Sequence, residues 1–177
     1  MSTSDTPQGY RQVGEDRFRE IVGLGYHELR EGMVIEHRPG RTITETDNVL
    51  MTMLGGNDAP IHTDAHYSSL TEWDRPLVCS SITLHIVGGM TVRSTSGLTM
   101  ANLGFEEIRF THPVFVGDTL YAQTQITGRR LSNSRPDTGI VTCRTTGHNQ
   151  HGKTVITFTR SFFVPLDADA VRDHTNY

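Results

Sequence analysis

The fold of this chain is decided by the segment SSITLHIVGGMTV, residues 80–92. Apolar side chains occupy nearly every face of a helix built from these residues, which is typical of a buried helix rather than an amphipathic one. Ser80 or Ser81 can cap its start. Gly88 and Gly89 cost about 1 kcal/mol each in helix propensity, so we expect close packing against another backbone to offset that cost. The segment therefore predicts a central buried helix.

After residue 99 the apolar pattern changes to a period of two. Leu120, Ala122 and Ile126 alternate with Tyr121 and Gln123, as expected for an antiparallel strand that buries one face. The segments with this pattern are 103–110, 119–128, 140–149 and 154–164. We therefore predict four long antiparallel strands after the helix.

Turn-forming residues mark the connections. We expect a hairpin turn over residues 150–153, a corner over 113–118, and a turn at Pro39-Gly40 within an extended segment over 32–44. A central helix followed by antiparallel strands predicts an α+β fold, with a sheet of five or six strands wrapped around the helix.

Length and composition are those of one ordinary domain. The chain has 177 residues, of which 35% are hydrophobic and 20% charged. Its net charge of -4 does not favour nucleic acid as a partner. No apolar run approaches the roughly 20 residues that span a bilayer, and the polar N-terminus lacks the apolar core of a secretory signal. The two cysteines, Cys79 and Cys143, form no disulfide framework, so we expect a reduced, cytoplasmic setting without membrane contact.

Composition also suggests how the chain is divided. We predict a disordered N-terminal tail over residues 1–15, a single folded domain over residues 16–167, and a polar C-terminal tail over residues 168–177. Between the tails there is no repeat and no low-complexity linker.

The candidate functional segment is MLGGNDAPIHTDAH, residues 53–66. Just upstream, residues 44–47 match a capping box that opens a short helix over residues 48–54, and this helix stops at Gly55-Gly56. The stiff, proline-containing loop that follows aims His62. Histidine exchanges protons near neutral pH, so the loop predicts an acid–base site.

Other interpretations of these residues stay open at this point. His62 could be a buried structural histidine, and together with His66 it could hold a metal ion. The metal interpretation is disfavoured because Pro60 opposes a helix through His62 and no third ligand is evident. His85 is expected to be a packed core residue, and Cys79 a small buried residue rather than a nucleophile.

Four segments carry a family resemblance that spans most of residues 30–165. They are NDAPIHTD (57–64), PLVCSSITLHIVGGM (76–90), NLGFEEIRFTHPVFVGDTL (102–120) and SRPDTGIVTCRTTGHNQHG (134–152). With these segments the chain resembles the MaoC-like dehydratases of the hotdog fold, which include the (R)-specific enoyl-CoA hydratases. The first segment is similar to the hydratase motif D-x-N-P-x-H. GRTITETDN (40–48), together with NLGFEEIRF in the third segment and SRPDTGIV in the fourth, is similar to a single-domain subgroup associated with branched dicarboxylic substrates such as mesaconyl-, itaconyl- or β-methylmalyl-CoA.

The resemblance implies a hotdog domain and a hydro-lyase that adds water reversibly to an enoyl-CoA thioester. It implies that His62 is the general acid and base, with Asn57 orienting the water or the substrate. The thioester oxygen is expected to face the start of the central helix, at Cys79, Ser80 and Ser81. A helix N-terminus offers free N–H donors and a partial positive charge to such an oxyanion.

The chain departs from the hydratase motif at two positions. Asn57 stands where the motif has Asp, and Ala59 where it has Asn. A side-chain amide takes up no proton at physiological pH, so Asp58 is the alternative source of a carboxylate. Asp58 and Arg135 are also candidates for contact with a substrate carboxylate or with coenzyme A, although Arg135 could equally be a solvated loop arginine or part of an interface ion pair.

The expected partners are an acyl-CoA substrate and further copies of the chain. A lone hotdog unit leaves a sheet edge open, which favours a homodimer or a higher homo-oligomer. No metal or redox cofactor is expected. Coenzyme A enters as part of the substrate. One alternative is an acyl-CoA thioesterase, although such hotdog enzymes place a carboxylate on the central helix, which here carries none. The other is a non-catalytic hotdog protein that binds acyl thioesters, which Asn57 permits.

Overall fold

The fold is given by a computed structural model that describes residues 6–177. Its strands are β1 (Tyr10–Gly14), β2 (Arg17–Glu20), β3 (Val34–Thr42), β4 (Ala101–Phe110), β5 (Thr119–Leu131), β6 (Thr138–His148) and β7 (Thr154–Pro165). β1 and β2 form a separate hairpin, and the other five strands form one antiparallel sheet in the order β3-β5-β6-β7-β4. β3 and β4 are therefore the two edges of this sheet.

Five helices accompany the sheet. They are α1 (Glu45–Leu54), α2 (Pro60–Thr63), α3 (Ala65–Ser69), α4 (Ser80–Thr91) and α5 (Ala168–Thr175). A π-helical turn over Val92–Ser96 continues α4. None of the helices between residues 6 and 177 is long and apolar enough to cross a bilayer.

The core lies between α4 and the inner face of the sheet. Ile82, Ile86 and Val87 of α4 pack in one buried cluster with Leu120 of β5 and Phe158 of β7. Burying an apolar side chain of this size stabilises a fold by about 1.5–3 kcal/mol, so the helix is held mainly by this contact. The predicted α+β arrangement, an antiparallel sheet wrapped around a central helix, is confirmed, and it is the hotdog fold.

The opposite face of α4 is open, which corrects the prediction of a helix buried on all sides. Ser81, His85 and Gly89 are exposed. A Cβ atom placed on Gly88 or Gly89 would meet no atom within 4 Å apart from the backbone of α4 itself, so no other backbone among residues 6–177 packs against these glycines. The apolar pattern of the α4 sequence therefore predicts more burial than this helix has within a single copy of the chain.

The start of α4 also differs from the prediction. Its N-cap is Cys79, and no side chain caps the helix. Ser80 and Ser81, the predicted caps, are already the first helical residues. Neither serine is therefore the N-cap of α4.

Both ends of the chain contain more structure than the sequence predicted. The predicted N-terminal tail includes β1, while residues 1–5 lie outside the described part of the chain. The predicted C-terminal tail contains α5, whose start is capped by Asp167. Arg172 of α5 is buried and donates a hydrogen bond of 2.8 Å to the carbonyl oxygen of Gly23. These elements are mostly polar, so their composition resembles that of a disordered tail, and tertiary contacts decide their structure.

The predicted turn at Pro39-Gly40 is wrong, because both residues lie within β3. The pairing of β3 with β5 shifts register between His37 and Arg41, which accommodates the two residues as a bulge. Proline is tolerated at this position because β3 is an edge strand and one side of its backbone has no neighbour.

A buried histidine organises a polar patch beneath α4. The two ring nitrogens of His37 lie 2.7 Å from Ser94 Oγ and 2.7 Å from Thr124 Oγ1. Burial, and to a smaller extent the positive charges of Arg160 and Arg38, lower the pKa of His37 to about 4. The imidazole is therefore neutral at physiological pH and acts as a hydrogen-bonding core residue.

A buried amide joins three segments around α4. Asn48 in α1 is 2% exposed. Its Nδ2 donates to the carbonyl oxygens of His62 (2.9 Å) and Leu77 (3.2 Å), and its Oδ1 accepts a bond of 3.1 Å from the Cys79 N–H. One side chain thus fixes α1, α2 and the start of α4 relative to one another.

The Asn48 amide makes a testable contribution to stability. In Asn48→Ala the buried His62 carbonyl and Cys79 N–H lose their partner, so we expect the free energy of unfolding to fall by at least about 2 kcal/mol. Urea denaturation measures this change. Asn133→Ala, at an exposed loop position, is the matched control and should stay within about 0.5 kcal/mol of the wild type. A wild-type stability for Asn48→Ala would contradict this role.

His37 predicts a pH dependence of stability. The unfolded chain takes up a proton at this residue near pH 6.5 and the folded chain only near pH 4, so protons favour unfolding between these values. The contribution of His37, at most about 3 kcal/mol, is present above pH 6.5 and is lost as the pH falls towards 4. Unfolding measured from pH 7 to 4 should show a smaller slope for His37→Gln than for the wild type. His151→Gln, in an exposed turn, should keep the wild-type slope.

Candidate active site

The site begins at α1, whose start follows the predicted capping box. Thr44 Oγ1 accepts from the Asp47 N–H, and the Asp47 carboxylate accepts from the Thr44 N–H at 2.9 Å. The helix ends at Leu54 with Gly55 as its C-cap, as predicted. This helix presents Asn48 to the segment that follows.

His62 lies in a short helix and not in the loop that the sequence predicted. α2 is one turn long, and Pro60 occupies its first position. Proline is compatible with that position because the first N–H of a helix has no intrahelical acceptor and proline's fixed φ suits the helix. A single helical turn thus orients His62. Asn48 donates a hydrogen bond to its backbone carbonyl, and the Leu77 carbonyl accepts one from its ring.

The hydrogen bond of the His62 ring defines its tautomer. His62 Nδ1 lies 3.0 Å from the carbonyl oxygen of Leu77. A carbonyl oxygen only accepts, so Nδ1 carries the proton and donates it. In the neutral imidazole Nε2 then holds a free lone pair, which is the state that a general base requires.

His62 forms the common wall of two cavities. The first, cavity A, has a volume of about 310 Å³, and its wall includes Trp73, Ser80, Thr83 and His112. The second, cavity B, has a volume of about 230 Å³ and is lined in part by Glu45 and Arg75. An imidazole between two cavities can act on a group in one while a second part of the same ligand occupies the other.

Of the three residues expected at the oxyanion site, the structure brings only Ser80 into a cavity with His62. The first N–H groups of a helix lack intrahelical acceptors. The Cys79 N–H is already bound to Asn48, whereas Ser80 lines cavity A. Ser81 instead faces the open side of α4, and its hydroxyl lies 3.2 Å from Cys79 Sγ.

Cys79 is enclosed by hydrogen-bond donors. Burial raises the pKa of its thiol, but hydrogen bonds from Ser81, Asn57 and the Ile82 N–H outweigh this effect, so the pKa falls below the usual thiol value. The side chain is 4% exposed and lines neither cavity. This placement agrees with the expected buried residue and brings no nucleophile to His62.

Asn57 is tied to its own neighbourhood. Its Nδ2 lies 3.2 Å from Cys79 Sγ, and its Oδ1 accepts a bond of 3.2 Å from the Ala59 N–H. One lone pair of Oδ1 and one N–H of Nδ2 remain for a water molecule or a substrate. Neither Asn57 nor Asp58 lines cavity A or cavity B; Asn57 is half-buried beside Cys79, and Asp58 is exposed.

Arg135 is placed away from His62 within the chain. Its guanidinium lies over the ring of Phe163, 5.0 Å from the centroid. Phe163 pairs with Ala101 at one end of β4, whereas Phe110 at the other end of β4 lines cavity A. Between residues 6 and 177, no group of three or more His, Cys, Asp and Glu side chains is arranged to hold a metal ion.

Three residues of the site were missed by sequence analysis: Asn48, Arg75 and His112. For Asn48 a signal existed, since Asn is a poor helix former and stands among apolar residues in α1. Arg75 and His112 lie in connecting segments outside the predicted elements. Only the tertiary structure brings those segments to His62.

A family model, that of the MaoC-like domain, matches residues 28–149. The chain is 33% identical over 138 residues to a protein named beta-methylmalyl-CoA dehydratase from Chloroflexus aurantiacus, a match that covers 78% of this chain and 39% of that protein. It is 31% identical to a protein named mesaconyl-CoA hydratase from Cereibacter sphaeroides, covering 78% of this chain and 40% of that protein. The chain thus spans about 40% of the length of these relatives.

A solved structure shows the same architecture in duplicate. It is a conserved hypothetical protein from Mycobacterium tuberculosis that is described as having a double hotdog fold. It superposes with a TM-score of 0.75 at 26% identity, and the match covers 83% of this chain and 46% of that chain. The match to the family over residues 28–149, more than half of the sequence, together with the hotdog architecture, shows that this chain belongs to the MaoC-like domain family.

Proposed function

We propose that this protein catalyses the reversible addition of water to an enoyl-CoA thioester. The observation that carries the proposal is the hydrogen bond from His62 Nδ1 to the Leu77 carbonyl oxygen, which leaves Nε2 as a base. Ser80, the first residue of α4, lines cavity A with this imidazole. A proton acceptor and a helix N-terminus on one cavity are the two groups that hydration of a conjugated thioester needs.

The proposed reaction uses these groups in sequence. His62 Nε2 takes a proton from water as the water oxygen forms a bond to C3 of the substrate. The negative charge that develops on the thioester oxygen is stabilised by the N–H of Ser80 and by the positive end of the α4 dipole. The protonated imidazole then gives a proton to C2, which restores the neutral base. No metal or redox cofactor takes part in this scheme.

Asn57 is proposed to orient the attacking water or the substrate. The bonds to Ala59 and Cys79 hold its amide group in place and still leave one donor and one acceptor free. In this scheme Asn57 moves no proton, so His62 performs both proton transfers. Asp58 is exposed, whereas Asn57 is half-buried beside Cys79, so Asp58 is given no catalytic role.

We further propose that the substrate is a branched dicarboxylic acyl-CoA of the mesaconyl-, itaconyl- or β-methylmalyl-CoA type. The names of two relatives, a β-methylmalyl-CoA dehydratase and a mesaconyl-CoA hydratase, support this class. The amide at position 57 is compatible with it, because a carboxylate there would repel a second carboxylate of the substrate. Cavity A, at about 310 Å³, lies at the lower end of the range for small-molecule sites.

A second copy of the chain is proposed to complete the enzyme. Among residues 6–177 no strand pairs with the outer edge of β4, and four large apolar side chains on this strand are exposed: Leu103, Phe105, Ile108 and Phe110. The other edge, β3, contains Pro39, which has no N–H to donate and therefore opposes strand pairing. The open face of α4 with its two glycines borders the β4 edge through Phe105. The double hotdog relative, which holds two such units in one chain, supports this pairing.

The catalytic proposal predicts the effect of removing the imidazole. We expect His62→Ala to lower kcat/KM for mesaconyl-CoA by about 10²- to 10⁴-fold, because the positioned base is lost. The measurement follows the ultraviolet absorbance of the conjugated thioester. His66→Ala, at an exposed position outside both cavities, is the matched control, and Asp58→Asn should also stay within a few-fold of the wild type.

Three outcomes would contradict the catalytic proposal. A loss for Asp58→Asn as large as that for His62→Ala would transfer the proton chemistry to Asp58. Release of free thiol in place of a hydrated product would make the protein a thioesterase. Retention of the conjugated band in every mixture, with saturable binding of the thioester, would make it a binding protein.

The dimer proposal predicts the mass in solution. Light scattering after size-exclusion chromatography should give twice the 19.7 kDa of the chain. Leu103→Lys places a charge on the exposed edge and should shift the mass to that of one chain, whereas Leu131→Lys, exposed at the end of β5, should not. A wild-type mass of a single chain would refute the proposal.

A further inference from the structure

Arg75, in the segment between α3 and α4, lines the same cavity as His62. Its side chain is exposed and lines cavity B, whose wall also contains His62 and Asn48. The centre of its guanidinium lies 3.9 Å from the centroid of the Phe115 ring. Arg75 is thus a cation held beside the imidazole that the proposed reaction uses.

The backbone of Phe115, whose ring stacks with Arg75, is held by two contacts. Phe115 forms an antiparallel bridge with Leu77, the residue whose carbonyl oxygen accepts the bond from His62. The Phe115 N–H donates to Asp118 Oδ2 at 2.9 Å. A guanidinium stacked on an aromatic face keeps the edges of its planar fork available for an anion. The stack therefore orients Arg75 without using its hydrogen-bond donors.

The charge of Arg75 is not neutralised within the described chain. Among residues 6–177, no carboxylate lies within 4.0 Å of its guanidinium, whereas Arg93 pairs with Glu20 and Arg172 with Asp169. Glu45 lines the same cavity without forming an ion pair with it. Cavity B therefore combines an available bidentate cation with one face of the catalytic imidazole.

We propose that Arg75 binds the second carboxylate of the acyl group and thereby selects dicarboxylic enoyl-CoA substrates. This inference rests on the proposed function. In a mesaconyl group the carboxylate is bonded directly to C3, the atom that water attacks, so it must lie close to His62. The phosphates of coenzyme A are separated from C3 by the whole pantetheine arm. A cation in the cavity next to the imidazole is therefore placed for the carboxylate.

Two other arginines fit this role less well. The Nε and Nη2 atoms of Arg160 are fully buried and have no hydrogen-bond partner in the described chain, so a ligand cannot reach them. Arg135 lies at the end of β4 remote from cavity A. Arg75 alone of the three shares a cavity with His62.

The test compares two substrates in two proteins. For Arg75→Gln, which keeps hydrogen-bonding capacity but removes the charge, we expect kcat/KM for mesaconyl-CoA to fall about 10- to 100-fold. The value for crotonyl-CoA, which has no second carboxylate, should stay within about 2-fold of the wild type. Arg75→Lys should retain part of the preference. Arg130→Gln, an exposed arginine at the far end of β5, is the matched control and should change neither substrate.

Other results would overturn the inference. Equal losses for mesaconyl-CoA and crotonyl-CoA that vanish with the corresponding pantetheine thioesters would assign Arg75 to a phosphate of coenzyme A. If the ratio of kcat/KM for mesaconyl-CoA to kcat/KM for crotonyl-CoA is unchanged in Arg75→Gln, Arg75 does not select the substrate. Arg135→Gln in the same assay would then show whether Arg135 does.

A binding measurement separates this inference from the proposed function. Calorimetry with methylsuccinyl-CoA and butyryl-CoA, two saturated analogues, reports carboxylate recognition without turnover. If the wild type hydrates no enoyl-CoA yet prefers methylsuccinyl-CoA through Arg75, the catalytic proposal fails and the carboxylate site stands. If the wild type hydrates enoyl-CoA but binds both analogues equally, the carboxylate site fails and the catalytic proposal stands.

Discussion

The site depends on one buried amide, that of Asn48. Its two polar atoms bind the His62 and Leu77 carbonyls and the Cys79 N–H, so a single side chain connects the catalytic segment to the start of the central helix. An amide suits this place because it both donates and accepts, whereas a carboxylate at neutral pH only accepts. The Leu77 carbonyl oxygen in turn accepts a hydrogen bond from the His62 Nδ1–H, so the position of this backbone oxygen sets the tautomer of the imidazole. The proposed proton transfer thus relies on a buried side chain that itself moves no proton.

Charge is distributed in a way that favours an anionic ligand. The position that holds Asp in the hydratase motif is the neutral Asn57, and the exposed Asp58 lies outside both cavities. The start of α4 adds a partial positive charge, and Arg75 adds a full one. His37, a buried histidine of β3, is kept neutral by burial and by the charges of Arg160 and Arg38 and so serves structure alone. The two histidines differ because one lies between two cavities and the other between hydroxyl groups of the core.

A single copy of the chain leaves one side of this architecture open. The exposed face of α4, with Gly88 and Gly89, lies beside the edge of β4. The apolar pattern of the α4 sequence predicts that this face is buried. The solved double hotdog structure holds two such units in one chain. The apolar pattern of α4 overstates its burial within a single copy of this chain, and the proposed second copy would account for the difference.

Elements whose signals are local can be predicted from the sequence alone. The capping box before α1, the two-residue period of β5 and the apolar helix with its two glycines lie in short stretches, and the α+β arrangement follows from them. The acid–base role of His62 is a prediction from the loop over residues 53–66 and from the family resemblance. The tertiary structure decided what depends on distant residues. It placed Pro39 inside an edge strand, ordered the polar α5 through Arg172, and brought Asn48 and Arg75 to His62. The physical reason is that propensity and periodicity act over a few residues, whereas hydrogen bonds and charges act between segments that only the folded chain brings together.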